Sequence, residues 1–131
     1  IQLRKCCNHP FLVKGAEERI LDEAAAKIQI AEHSDSNPVI IDPVKLFGEQ
    51  LIKSSGKMVL MDKLLQKLFA GDHKILVFSQ MVRVLDLLEE LLKLKKYKYE
   101  RLDGSTSASS RLSAVDRFNR KSCQRFVMLL R

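Results

Sequence analysis

Two short polar segments contain the residue types that bind phosphate groups. Ser79-Gln80 follows an apolar run, and the second segment is Asp103-Gly104-Ser105-Thr106. Each is expected to open a helix, whose first backbone N–H groups are free to bind an anion. Gly104 would let the backbone approach closely, and Arg111 could reach back to the same phosphate from the second helix. The candidate phosphate-binding residues are Ser79, Gln80, Gly104, Ser105, Thr106 and Arg111.

The same residues also allow purely structural interpretations. Ser79 and Thr106 could be plain helix caps, which their spacing alone favours, and Asp103-Gly104 could be a simple turn. Arg111 could pair with Asp116 or another surface acid. Four aromatic residues are expected in the core rather than as stacking platforms for nucleobases, and they are Phe69, Phe78, Phe118 and Phe126.

The motifs of metal and catalytic chemistry are missing or incomplete. Cys6, Cys7 and His9 lie close together, but zinc sites usually take four ligands in two separated pairs, and no second pair follows. No phosphate loop of the form G-x-x-x-x-G-K-[ST] occurs, and Gly56-Lys57 is better explained as a helix start. No carboxylate pair or nucleophile–histidine set can be argued for. We therefore expect neither a metal site nor a catalytic residue within this sequence.

The order of predicted elements from residue 57 onward brings the two polar segments together. Helices at 57–69 and 81–94, and a third capped by Ser107 or Ser109, alternate with strands at 74–79, 97–102 and 125–130. The continuous apolar run of the first strand is typical of a strand buried on both faces. Short connections indicate βαβ units, a parallel sheet and right-handed crossovers. In such sheets ligands bind just beyond the carboxyl ends of the strands.

Residues 1–56 have a different pattern. Helices are predicted at 1–8, 16–32 and 44–53, with a polar, proline-bearing loop at 33–43. We predict a division into 1–56, a helical linker and insertion, and 57–131, part of an α/β domain. The lack of an initiator Met suggests a piece of a longer protein.

Composition excludes several classes of protein. The 131 residues are 46% hydrophobic and 30% charged, a normal balance for a soluble domain. Three cysteines argue against a secreted disulfide framework and favour a reducing compartment. No apolar run reaches the length of a membrane span and no signal-peptide core is present, so no membrane association is expected.

The net charge of +7 is unevenly distributed. Residues 1–56 carry seven Lys and Arg against eight Asp and Glu, and residues 57–92 carry five of each. Residues 93–131 carry eleven Lys and Arg against three Asp and Glu, so the whole excess of positive charge lies in the last third of the chain. A one-sided basic field is typical of a surface that binds a polyanion. Charge alone explains a solvated basic surface equally well.

Four ordered blocks resemble the SWI/SNF-type remodelling ATPases. Leu3–Leu12, which reads LRKCCNHPFL, resembles the signature that joins their two motor lobes, and Ser55-Gly56-Lys57 resembles the entry to the second lobe. Lys74–Met81 resembles helicase motif IV. The next block of the family is resembled by Tyr99–Thr106, followed by Arg111 and Asp116–Asn119. Gly15–Glu18 looks most like the chromodomain-helicase-DNA-binding branch.

This resemblance implies a truncated RecA-like helicase C-terminal lobe, an α/β fold with a parallel sheet and flanking helices, preceded by a helical linker. The whole protein would be a nuclear DNA-dependent ATPase that uses ATP and Mg²⁺. Its partners would be duplex or nucleosomal DNA, histones and the first motor lobe in cis. This piece would contact the DNA backbone through the six phosphate-suited positions. It would bind no cofactor and hydrolyse no ATP alone, because the first lobe and the later arginine-finger motif are not in the chain.

The open edges of the sheet and the basic charge lead to two further expectations. A lobe cut after its third strand would leave open edges and apolar surface, so self-association is expected. The alternative function is a non-catalytic basic α/β module that binds nucleic acid or acidic protein surfaces. An RNA-unwinding helicase would share the lobe but should lack the Leu3–Leu12 signature.

Overall fold

The computed structural model describes residues 2–31, 42–120 and 122–131. The chain divides into two compact units, Ile1–Asp62 and Lys63–Arg131, with the boundary inside one helix. The first unit contains helices α1, a single 3-10 turn, α2, α3 and the start of α4, at Gln2–Asn8, Pro10–Leu12, Ala16–Ala31, Pro43–Lys53 and Gly56–Ala70. The second unit continues with β1, α5, β2, α6 and β3, at Ile75–Phe78, Val82–Leu94, Tyr99–Leu102, Ala108–Asn119 and Val127–Leu130.

Helices α3 and α6 begin at residues whose side chains cap them. Asp42 Oδ1 accepts a hydrogen bond from the Val44 N–H at 2.9 Å, and Pro43 occupies the first turn, where a missing N–H costs nothing. Ser107 Oγ accepts from the Ser110 N–H at 3.3 Å, so it is the cap of α6. Every helix and strand predicted within the described residues is confirmed, with ends shifted by one or two positions. The predicted loop over 33–43 lies almost entirely outside the described residues.

The three strands form one parallel sheet in the order β1-β3-β2. Val127 of β3 is in register with Ile75 on one side and with Tyr99 on the other. Across the sheet, the chain moves from β1 past the position of β3 to β2 and then moves back in the opposite direction to β3. Right-handed crossovers therefore place α5 and α6 on opposite faces of the sheet. The predicted α/β class and parallel sheet with flanking helices are confirmed.

The core of the second unit lies on both faces of β3. On the α6 face, Met128 packs with Leu102 of β2 and with Ala114 and Phe118 of α6. Val127 and Leu129 alternate with Met128 and are buried on the other face, at 0% and 1% exposure. Helix α5 contributes its own buried stripe, which consists of Leu85, Leu88, Leu91 and Leu92.

The expectation that β1 is buried on both faces is wrong. Leu76 is 53% exposed and Phe78 is 74% exposed. The register aligns them with Met128 and Leu130, so they lie on the α6 face. Helix α6 packs over β2 and β3, and β1 is an edge strand whose share of that face stays open. Phe69 is also exposed, so the predicted core position is wrong for Phe69 and Phe78 and confirmed for Phe118 and Phe126.

A buried histidine organises the first unit. His9 is 1% exposed. Its Nδ1 accepts a hydrogen bond from the Phe11 N–H at 3.1 Å. Nε2 must therefore carry the ring proton, which it donates to the Leu51 carbonyl at 2.7 Å. Phe11, Leu12 and Leu51 are buried in the same unit. The imidazole thus joins the segment after α1 to the end of α3.

The residues beside His9 hold the start of α4. Ser55 Oγ donates to the Asn8 carbonyl at 2.8 Å, and Lys57 Nζ donates to Asn8 Oδ1 at 2.9 Å.

Both ring nitrogens of His9 are engaged, so the imidazole offers no lone pair to a metal. Within the described residues, no group of three or more His, Cys, Asp or Glu side chains could hold a metal ion. None of the described helices combines the length and the apolar character needed to cross a membrane.

We predict that the first unit loses stability as the pH falls below about 6.5. Burial lowers the pKa of His9, against weaker raising effects from the Leu51 carbonyl and Glu17. The unfolded chain therefore takes up a proton before the folded chain does, and stability is lost between the unfolded and the folded pKa. Hydrogen exchange of residues 42–62, corrected for intrinsic rates, should show weaker protection at about pH 5.5 than at about pH 7.5.

The variant His9→Gln separates titration from packing. It should destabilise the unit by about 1–3 kcal/mol at neutral pH, because a buried hydrogen-bond partner is left unsatisfied. The remaining pH dependence should be much smaller. His73→Gln, which changes an exposed histidine of the second unit, should leave the pH dependence of residues 42–62 intact. An undiminished pH dependence in His9→Gln would show that another group is responsible.

Candidate nucleic-acid interface

The two predicted phosphate-binding segments lie at the same edge of the sheet. The parallel ladder continues past the strand ends, because the Ser79 N–H donates to the Leu130 carbonyl at 3.0 Å and the Arg131 N–H donates to the Leu102 carbonyl at 3.1 Å. Neighbouring strands are about 4.8 Å apart, which separates the backbones at Ser79 and Asp103 by about 10 Å. Arg131 leaves β3 between them. We call this the carboxyl edge, defined by Ser79–Gln80, Asp103–Thr106 and Arg131.

The loop after β2 is a closed turn. Asp103 Oδ1 accepts hydrogen bonds from the Ser105 N–H at 3.0 Å and from Ser105 Oγ at 2.5 Å. The Asp103 N–H donates to Thr106 Oγ1 at 3.2 Å, and the Thr106 N–H donates back to the Asp103 carbonyl at 3.1 Å. The interpretation of Asp103-Gly104 as a turn is therefore confirmed. Thr106 closes this turn and does not cap α6, because Ser107 does.

Arg111 braces the same turn from the first part of α6. Its Nε donates to the Thr106 carbonyl at 3.1 Å and its Nη2 donates to the Asp103 carbonyl at 2.9 Å. The alternative pairing of Arg111 with Asp116 is wrong. Carbonyl oxygens do not neutralise a guanidinium, so the exposed Arg111 keeps its positive charge at the carboxyl edge.

The other candidate residues differ in how firmly they are held. Ser79 Oγ accepts a hydrogen bond from the Met81 N–H at 3.2 Å, which shapes the turn into α5, and Gln80 is exposed. A Cβ added at Gly104 would meet Arg131 Nη1 at 3.8 Å, an ordinary contact. The chain itself therefore gives no steric reason for a glycine at position 104.

The position of Arg131 at this edge was not predicted. It is exposed, and its guanidinium lies beside Gly104. The signal was available, because the residue after the third parallel strand must emerge at the same edge as those after the first two. Arg131 and Arg111 both place positive charge beside the Asp103–Thr106 turn.

The sequence analysis also did not predict a network of ion pairs next to the turn. Arg101 of β2 contacts three carboxylates, those of Asp86 at 2.8 Å, Glu89 at 2.6 Å and Asp103 at 3.0 Å. The side chain of Arg101 is only 21% exposed. Tyr99, two residues earlier on the same strand face, donates its hydroxyl to Glu89 at 2.6 Å. Arg101 therefore links helix α5 to the first residue of the carboxyl-edge turn.

The ionisation of these groups follows from their contacts. Partial burial by itself lowers the pKa of Arg101, but hydrogen bonds to Asp86, Glu89 and Asp103 outweigh it and raise the pKa. The hydrogen bonds from Ser105 and then from Arg101 lower the pKa of Asp103. Burial and the hydrogen bond to Glu89 raise the pKa of Tyr99 to about 12. Asp103 is thus charged at neutral pH, and Tyr99 is neutral.

Comparison with known proteins assigns the chain to a family. Residues 56–130 match the model of the helicase conserved C-terminal domain. The chain belongs to the helicase conserved C-terminal domain family. This helicase domain is 49% identical over 130 residues, 99% of its length, to chromodomain-helicase-DNA-binding protein 8 of Xenopus tropicalis and to chromodomain-helicase-DNA-binding protein 9 of Homo sapiens. The resemblance to the chromodomain-helicase-DNA-binding branch is confirmed.

A solved structure supports the same assignment. The helicase domain superimposes on the crystal structure of the C-terminal part of the Fun30 ATPase domain with a TM-score of 0.57 and 25% identity, which covers 86% of this chain and 33% of that one. The predicted RecA-like helicase C-terminal fold is confirmed. The chain spans only 5% and 4% of the length of the two curated relatives.

We predict that Arg101→Gln loosens the carboxyl-edge turn. The change removes a cation from among three carboxylates and should lower the free energy of unfolding by about 1–3 kcal/mol. The amides of Ser105 and Thr106 should exchange faster, because Asp103 loses the contact that orients its carboxylate. Chemical denaturation and hydrogen exchange would measure the two effects.

Lys93→Gln provides the matched control for Arg101→Gln. It removes one exposed positive charge that pairs with Glu90 and with Glu89 of the network but does not contact Asp103. Exposed pairs contribute little, so exchange at Ser105 and Thr106 should stay unchanged. Equal effects of the two variants would mean that net charge, and not the link to Asp103, holds the turn.

Proposed function

We propose that this chain is part of an ATP-dependent DNA translocase that remodels nucleosomes, and that its carboxyl edge contacts the DNA backbone. One observation carries the proposal. In a helicase C-terminal domain, the Ser79–Gln80 segment, the Asp103–Thr106 turn and the Arg111 guanidinium converge on one sheet edge. These are the residue types that phosphates bind, and the position is the one where parallel α/β sheets hold ligands.

The geometry suits contacts that do not depend on base sequence. The carboxyl edge presents hydroxyls and guanidinium ions, which bind phosphate oxygens and position a protein on a duplex. Arg111 holds the turn by binding its carbonyls and so presents its charge beside Gly104, Ser105 and Thr106 in one arrangement. A motor that moves along DNA requires this kind of contact.

The relatives support the partners and the compartment. They are named chromodomain-helicase-DNA-binding proteins, which supports duplex or nucleosomal DNA and histones as partners and the nucleus as the location. In the whole protein, ATP and Mg²⁺ would be bound with the first motor lobe in cis. In this proposal the chain supplies DNA contacts and is not catalytic by itself.

Self-association of the 131-residue chain is part of the proposal. The β1 edge exposes Leu76 and Phe78 on one face, beside the unpaired backbone groups of an edge strand. Exposed apolar edge strands pair readily with other chains. Binding experiments therefore need a protein concentration at which light scattering shows a single species.

We predict weak, sequence-independent binding of duplex DNA with a steep dependence on salt. Arg111→Ala should weaken binding about fivefold to tenfold and reduce the slope of log affinity against log salt by about 1, because one phosphate contact is lost. Fluorescence anisotropy with two duplexes of unrelated sequence would measure both quantities.

Two further variants sharpen this test. Arg19→Ala, at an exposed position of α2 in the first unit, removes the same residue type and charge at a residue that is not among those defining the carboxyl edge, and it should change affinity and slope little. Arg111→Lys keeps the charge but loses the guanidinium group that binds two carbonyls. Its affinity for duplex DNA should therefore lie between those of the wild type and Arg111→Ala. A flat salt response, or an Arg19→Ala effect as large as that of Arg111→Ala, would overturn the assignment of the edge.

We predict no ATP turnover by the 131-residue chain with or without duplex DNA. The sequence contains no G-x-x-x-x-G-K-[ST] loop to hold the β and γ phosphates. A coupled phosphate-release assay, with a complete two-lobed remodelling ATPase as positive control, would test this. Robust DNA-stimulated turnover by the purified chain would contradict it.

A further inference from the structure

A second site lies at the opposite edge of the same sheet. A pocket of about 480 Å³ is lined by residues that immediately precede the strands, among them Lys74 before β1, Lys98 before β2 and Phe126 before β3. Phe69, near the end of α4, forms another wall. Four-residue strands separate this amino edge from the carboxyl edge by about 13 Å. The pocket is therefore distinct from the proposed DNA contacts.

The rim of the pocket is basic. Lys74 Nζ donates to the Arg120 carbonyl at 3.1 Å and to the Phe118 carbonyl, and Lys98 Nζ donates to Gln124 Oε1. These partners are neutral, so they hold the ammonium groups in place without cancelling their charge. Lys96 adds a further exposed cation. Of the residues that line the pocket, Asp72 is the one acid.

The wall of the pocket is aromatic. The rings of Phe69, Tyr97 and Phe126 pack with centroids 4.9 to 5.2 Å apart. Phe126 is 5% exposed, whereas Phe69 is 54% exposed. The three rings are tilted against one another by 44°, 59° and 79°. They form a concave corner that fits the end of an apolar side chain, and they offer no parallel pair of faces between which a base could stack.

We propose that this amino-edge pocket binds an acidic peptide segment of a partner protein, with one large apolar side chain against Phe69 and carboxylates on Lys96 and Lys98. Charge complementarity selects an acidic ligand, and the exposed ring selects an apolar group within it. Duplex DNA satisfies only the first requirement, because its convex phosphate surface brings no apolar group into a concave pocket. Single strands bind by stacking successive bases on several accessible rings, whereas only Phe69 of these three rings is largely exposed.

The test uses the 131-residue chain and a dye-labelled peptide in which Glu and Asp alternate around one central Phe. Anisotropy should show saturable binding. The double variant Lys96→Glu/Lys98→Glu should weaken it about tenfold or more, since two attractive contacts become repulsive. The matched control Lys63→Glu/Lys67→Glu makes the same change in net charge on exposed positions of α4 outside the pocket. It should weaken binding less than about threefold.

Occupancy of the pocket has an independent readout. Cys123 lines the pocket, and the Arg125 N–H donates to its sulfur at 3.3 Å, which lowers the pKa of the thiol. Alkylation of Cys123 should slow when the peptide is bound, whereas Cys6 and Cys7, which do not line the pocket, should keep their rates. Phe69→Ala and replacement of the central Phe of the peptide by Ala should each weaken binding about fivefold or more.

Three results would overturn the proposal. The first is absence of saturable binding, and the second is an equal loss with the two charge-reversal variants, which would indicate a general charge effect. The third is full competition by an oligothymidylate that also protects Cys123, which would make the pocket a nucleic-acid site. Arg111→Ala should leave peptide binding unchanged, so this proposal and the DNA proposal can fail independently.

Discussion

The pairing of β3 with both of its neighbours is the constraint on which the second unit depends. β1 and β2 share no register with each other, and each is aligned only through Val127–Leu130. Because all three strands are parallel, one alignment sets both ends of the sheet. It brings Ser79, Arg131 and Asp103 together at one edge and gathers Lys74, Lys98 and Phe126 at the other. The two candidate binding surfaces are therefore consequences of the same twelve residues of strand.

The hydrophobic pattern was sufficient to predict the elements but not the surroundings of each strand. Apolar runs and short loops indicate parallel βαβ units, and the position of Ser107 ahead of a helical pattern predicts the cap that its hydrogen bond confirms. A continuous apolar run, however, looks the same in a central strand and in an edge strand. The strand order leaves the α6 face of β1 open, and this is why Leu76 and Phe78 are exposed. Periodicity reports which side chains share a face, and only the topology decides what covers it.

The candidate site was predictable in place and not in detail. The rule that loops after parallel strands meet at one edge predicted that the Ser79–Gln80 and Asp103–Thr106 segments lie together, and it could have predicted Arg131 as well. The partners of Arg111 and Arg101 were not predictable, because a long cationic side chain can reach carbonyls and carboxylates from several elements. Asp86 and Glu89 lie 15 and 12 residues from Arg101 in the sequence, and their proximity depends on how α5 crosses the sheet.

The net charge of each segment does not show where the positively charged surface lies. The last third holds the whole excess, yet Arg101 is surrounded by acids, and Arg117 and Arg125 share Glu100. Arg111 and Arg131 remain at the carboxyl edge, while Lys96 and Lys98 lie at the amino edge. A basic segment can therefore serve two surfaces of different chemistry. The aromatic corner beside the lysines distinguishes the second surface from the first.

The position of β3 in the chain has a consequence for the order of folding. During synthesis β1, α5, β2 and α6 all emerge before the strand that pairs with β1 and β2. Helix α5 can form from local contacts, but no rung of the sheet can close until residues 127–130 are available. Contacts between residues some fifty positions apart in sequence slow folding, because loop-closure entropy is lost before they form. The nascent second unit must therefore remain without this sheet until β3 arrives.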